Sequence, residues 1–120
     1  VQNLNKNIFI DMGNAIGAGN VISTASDLLR WNHYLHHETS LEFRQIILKN
    51  YCQDEDHDWI NLGLSTTPET ICGTLIGFQG AQDSYNSFLG YYPEYHLNIA
   101  ILSNASKKFE EIMEKLEKIM

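Results

Sequence analysis

The spacing of apolar positions divides the chain into a helical part and a strand part. Thr24, Leu28, Trp31 and Leu35 recur at i, i+4, i+7 and i+11, which predicts a helix with one apolar stripe. Ser23 and Thr24 are good N-caps, and Asp27 three residues after Thr24 resembles a capping box and suits the helix dipole. A second helix is predicted from about Ser40 to Asn50, with Thr39 and Glu42 as caps. Leu41, Phe43, Ile46 and Ile47 supply its buried side. Upstream, residues 1–20 are rich in Asn and Gly, and Ile8-Phe9-Ile10 reads as a short strand.

After the acidic loop at residues 53–58 the period changes. Trp59–Leu64, Thr70–Phe78, Tyr85–Tyr92 and Leu97–Leu102 read as strands, with Gly, Pro, Asp and Asn between them. Pro93–His96 is a hairpin-length connection. The last strand is nearly continuous in apolar residues, which predicts a central strand covered on both faces. A final helix places Phe109, Ile112, Met113, Leu116, Ile119 and Met120 on one stripe, opposite Glu111, Glu114, Lys115 and Lys118. Helices, a strand meander and a covering helix make the fold class α+β. The antiparallel sheet comes from the C-terminal meander, and the whole chain reads as one unit. Residues 1–58 are mainly helical, and 59–120 hold the meander with its helix.

Composition narrows the function. The chain has 120 residues, 43% of them apolar, and a formal net charge of −7. It is too apolar and aromatic to be disordered, and no apolar run could span a membrane. Eight scattered cations make no phosphate-binding patch, which argues against nucleic acid as a partner. Two cysteines, Cys52 and Cys72, are too few for a disulfide scaffold; one bridge and two free thiols both remain open. The chain opens Val1-Gln2-Asn3-Leu4, with no Met and no signal peptide, and this reads as the interior of something longer.

Candidate chemistry is sparse. Gly13, Gly17 and Gly19 match neither a phosphate loop nor GxGxxG. His33 and His37 lie one helical turn apart, a spacing that can hold zinc, but Tyr34 follows His33 where a metalloprotease has Glu. His36 lies on the same helix; with no third ligand identifiable, His33 and His37, which face away from the Leu28/Trp31/Leu35 stripe, read as a solvated helix face. Asp54, Asp56 and Asp58 alternate like a calcium loop, but Trp59 and Ser65 occupy the sixth and twelfth positions where Gly and Glu are needed. No metal and no cofactor is implied. There is no Gly-x-Ser-x-Gly, and the cysteines read as inert. Asn104-Ala105-Ser106 matches a glycosylation sequon but stands where a helix cap is needed.

Two stretches are nonetheless familiar in order and spacing. Gly17-Ala18-Gly19-Asn20-Val21-Ile22-Ser23-Thr24-Ala25-Ser26-Asp27-Leu28 is one. The other runs from Asn61-Leu62-Gly63-Leu64 through Gly77-Phe78-Gln79-Gly80 and Ser84-Tyr85-Asn86-Ser87. It continues to Tyr92-Pro93-Glu94 and Ile101-Leu102-Ser103-Asn104. Together they resemble the C-terminal third of the bacterial serine β-lactamase and penicillin-binding-protein-like family. The nearest types are class C β-lactamases and D-alanyl-D-alanine carboxypeptidases.

The resemblance implies a β-lactamase/transpeptidase-like fold with serine hydrolase chemistry on β-lactams or D-Ala peptides and esters, at work outside the cytoplasm. Its nucleophile would lie in Ser-x-x-Lys, assisted by Tyr-x-Asn. Neither motif occurs in these 120 residues, so no catalytic residue is assigned and no activity is expected of this chain. The third motif, normally Lys-Thr-Gly or His-Thr-Gly on a sheet-edge strand, falls on Phe78-Gln79-Gly80. Phe78 cannot supply the motif's cation, Gln79 can hydrogen-bond to substrate, and Gly80 keeps the small residue along which substrate lies. The implied partner of the full-length protein is a peptidoglycan-like peptide or a β-lactam. A second reading is a non-catalytic binding module in which an unpaired sheet edge promotes self-association.

Overall fold

The computed structural model describes residues 19–82 and 85–119. Ile8-Phe9-Ile10, Gly13, Gly17, Ser84 and Met120 lie outside them. The described chain is α+β, with three α-helices and a six-stranded antiparallel sheet. No described helix is long and apolar enough to cross a membrane.

Helix α1 spans Ala25–His33. The Thr24 hydroxyl accepts the Asp27 N–H at 3.2 Å and donates to the Asp27 carboxylate at 2.9 Å, closing the first turn. Its buried stripe differs from the predicted one. Trp31 is 53% exposed, whereas Asn32 is 1% exposed. The reason is polar satisfaction. The Asn32 amide donates to Gly90 O at 3.1 Å and to Asn98 Oδ1 at 2.9 Å, so a polar residue sits in the core with its donors used. Trp31 stays at the rim beside Tyr34.

The helix then widens into a π-helical segment, Tyr34–Glu38, closed by the Thr39 N–H on Tyr34 O at 3.1 Å. Here Leu35 and His36 are buried side by side. Helix α2, Leu41–Ile47, is capped by Ser40, whose hydroxyl accepts the Phe43 N–H at 3.2 Å. It stops short of Asn50. The Asn61 amide takes the carbonyls of Leu48 and Lys49 and the side chain of Asn50. Leu41, Phe43 and Ile46 are exposed rather than buried, because α2 turns Arg44, Ile47 and Leu48 inward.

The sheet is a sequential meander of β1 (Cys52–Gln53), β2 (Trp59–Ile60), β3 (Ser65–Thr70), β4 (Gly73–Gln82), β5 (Tyr85–Tyr92) and β6 (Leu97–Ser103). It begins at Cys52, earlier than predicted. The acidic loop is the turn of the β1–β2 hairpin. Asp54 Oδ1 accepts the N–H groups of Asp56 at 3.0 Å and Asp58 at 2.9 Å, so Asp54 builds a turn. The predicted strand at 59–64 ends at Ile60, where Asn61–Leu64 turn back with Gly63 at φ +80°. The predicted strand at 70–78 is cut by a turn at Ile71–Cys72, with Gly73 at φ +91°. Pro68 sits where the β3–β4 register shifts, as a residue without a donor must. Glu94 links two turns: its carboxylate accepts the Thr74 N–H at 3.1 Å. Backbone N–H donors, its own and that of Thr74, hold Glu94 below the usual carboxylate range.

Strand β5 matches its predicted bounds. The apolar run predicts a central β6; among the described residues β6 pairs with β5 alone and stands at the end of the described sheet. Its apolar run is explained by the two layers that flank the sheet. The α1 layer covers the face that carries Tyr91 and Asn98. Helix α3 (Ser106–Ile119) covers the face that carries Phe88 and Tyr92. Phe109 is 2% exposed, and Met113 and Leu116 line a cavity of about 250 Å³ with Leu75, Phe88, Tyr92 and Ile99. The α3 stripe is narrower than predicted, since Ile112 is partly exposed and Ile119 is 81% exposed. The Ser103 hydroxyl, rather than Asn104, organises the start of α3, accepting the Ala105 N–H at 3.1 Å.

Candidate functional site

Phe78, Gln79 and Gly80 lie in the middle of β4, and the sheet treats its two sides differently there. On one side β4 is paired to β5 from Ile76 to Gln82, with Phe78 opposite Leu89, Gln79 opposite Phe88 and Gly80 opposite Ser87. On the other side β3 begins at Ser65, opposite Gly77. The Ser65 hydroxyl donates to Gly77 O at 3.1 Å and finishes that ladder. Beyond Gly77, the outer edge of Phe78–Gln82 has no described strand partner. An extended chain could pair there by backbone hydrogen bonds.

The side chains alternate. Phe78 and Gly80 point to the α1 side of the sheet, whereas Gln79 points to the α3 side with Phe88. Phe78 is 60% exposed and Gln79 is exposed. A Cβ on Gly80 would meet only the Ser87 hydroxyl, at 2.7 Å, so the backbone is accessible at this point because the residue is glycine. The edge offers hydrogen bonds and an aromatic surface but no cation. Among the described residues no serine or cysteine is hydrogen-bonded to a histidine. Cys52 and Cys72 are both free thiols; Cys72 is buried, and Cys52 is exposed.

The sequence reading missed a second constellation. His33 and His37 do lie exposed, with ring centroids 4.7 Å apart. His36 does not belong to that solvated face. It is 7% exposed and stacks on Tyr91 at 4.2 Å. His37 meets the edge of the same tyrosine at 5.3 Å. His96, in the left-handed conformation at the end of the β5–β6 turn, has Nδ1 3.4 Å from the Tyr91 hydroxyl. The signal available in the sequence was spacing: Leu28, Asn32 and His36 follow one another at i+4. Burial, then the neighbouring His37 and Arg44 charges, push the His36 pKa down to about 4. No group of three or more His, Cys, Asp or Glu side chains is disposed to hold a metal ion among the described residues.

No known family model, curated protein or solved structure matches the chain.

Proposed function

We propose that this chain is the C-terminal part of a β-lactamase-like serine hydrolase. In this reading the Phe78–Gln82 edge of β4 receives an extended D-Ala peptide or β-lactam. Hydrolysis belongs to the full-length protein, because Ser-x-x-Lys and Tyr-x-Asn lie outside these residues. The observation that carries the reading is the half-open β4. The strand holding the altered third motif extends past its neighbour β3 and offers backbone groups beside Gly80. Phe78, standing where a cation would bind the substrate carboxylate, makes the expected affinity weak. Titration of the isotope-labelled chain with a D-alanyl-D-alanine peptide should move amide resonances of Phe78–Gln82, and Gly80→Val should abolish the movement. Parallel incubation with a chromogenic cephalosporin should give no turnover above a denatured control. Turnover by this chain, or shifts that avoid β4, would overturn the reading.

A self-associating module is the second reading, and β6 favours it. Leu97–Ser103 contains no proline and no charge, and its outer edge has no described partner. Such an edge lacks the devices that discourage strand addition. Two copies pairing antiparallel about Ala100 would keep the α1 and α3 faces in register, because residues related by that two-fold share parity. Sedimentation equilibrium across a concentration series should show a monomer–dimer equilibrium that Leu102→Lys shifts toward monomer. A parent chain that stays monomeric throughout rules this reading out.

A further inference from the structure

We propose that the histidine cluster joining the π-helical segment to β5 and the β5–β6 turn is an acid-operated latch, whose protonation releases the α1 layer from the sheet. The proposal is independent of the β4 reading.

The geometry places three imidazoles around one phenol, with a fourth, His33, behind one of them. Tyr91 is stacked by His36 at 4.2 Å, met edge-on by His37 at 5.3 Å, and approached at its hydroxyl by His96. His37 in turn lies 4.7 Å from His33 and 6.4 Å from His96, ring to ring. When all four are neutral, these are ordinary ring contacts. Each proton added puts a cation within several ångströms of the others, in a partly desolvated space.

The surroundings supply little countercharge. Around His36, its own segment presents His37 and Glu38, and the end of α1 presents His33. Helix α2 presents Arg44, whose guanidinium donates to His36 O at 2.6 Å. Strand β5 presents Tyr91, and the β5–β6 turn presents His96. Glu38 is the acidic residue in this group, and it lies 3.6 Å from His33 Nε2. The buried His36 Nε2 has no hydrogen-bond partner in the structure, so a proton there would find no acceptor. Burial lowers the His37 pKa as well, assisted chiefly by His33 and His96.

A histidine kept neutral in the closed state and free to ionise in the open one stabilises the closed state fully above its ordinary pKa of 6.5. That contribution disappears as pH falls toward about 4. From His36 alone, the opening equilibrium should rise roughly 10- to 30-fold between pH 8 and pH 5. What opens is the contact of His36 and Asn32 with the sheet, which uncovers the Tyr91 face of β5 while the strand meander stays paired.

Amide hydrogen exchange, corrected for intrinsic rates and read by NMR from pH 8 to pH 5, tests this. Amides of residues 25–38 should lose protection as pH falls, and those of β4 and β5 should keep theirs. His36→Phe keeps a ring against Tyr91 without a proton site and should flatten the dependence. An equal loss of protection everywhere, or an unchanged dependence in His36→Phe, would overturn the latch. Should that variant not fold, imidazole carbon shifts in the parent chain decide the matter. They should show His36 titrating at least a full unit below the ordinary histidine value of 6.5, and titration at that ordinary value would equally overturn it.

Discussion

Gly77→Ala is expected to lower unfolding stability by about 3 kcal/mol, the upper end of the cost of overpacking a filled core. Gly77 is buried in β4 between Gly90 on β5 and Ser65 on β3. A Cβ there would overlap the Leu89 carbonyl oxygen and come within 2.9 Å of the Gly90 Cα. These are backbone atoms in a paired ladder, so neither can move aside without straining the hydrogen bonds of two strands. Gly80→Ala, three residues along the same strand, makes the comparison. Its new methyl meets a hydroxyl that can rotate, and the expected cost is about 1 kcal/mol or less. Urea midpoints at fixed slope give both numbers. Equal midpoints for the two variants would mean that the β4–β5 spacing is looser than described.

Asn32→Ala should cost about 2–4 kcal/mol, from a lost buried hydrogen-bond pair and the space left behind. The Asn32 amide joins three elements at once: it sits on α1, donates to the Gly90 carbonyl of β5 and donates to the Asn98 side chain of β6. Removal leaves an acceptor on each strand facing an apolar methyl. Asn98→Ala alone removes one of the two bonds and should cost less. A double-mutant cycle should return a coupling near 1 kcal/mol between Asn32 and Asn98. Strict additivity would show that the two amides act independently despite their 2.9 Å contact.

Much of the framework was legible where one residue type fixes local geometry. Thr24 and Asp27 marked the start of α1, and the bounds of β5 followed from Tyr85–Tyr92 lying between turn residues. The stripe on α1 was misread because apolar periodicity counts Trp31 and ignores Asn32. An amide can replace an apolar side chain in a core only when acceptors await it, and those acceptors belong to strands 58 and 66 residues away. The place of β6 at the end of the described sheet was illegible for a related reason. Its apolar run reports two covering layers, and says nothing of what lies beside it. At the candidate site, the sequence pointed to Phe78-Gln79-Gly80, but the open edge arises from where β3 begins. His36 was hidden because its neighbours His33 and His37 are solvent-facing, and the helix passes from α-helical at His33 to π-helical at His36 and His37.

The meander also bears on how the chain reaches this arrangement. Each strand pairs with its neighbour in sequence, so every ladder closes a short loop and loses little chain entropy. Such local pairings favour rapid folding. The helical layer obeys a different rule, because the Asn32–Gly90 contact must close a span of 58 residues. The sheet can therefore zip from turn to turn, while α1 docks only once β5 and β6 are aligned to receive it.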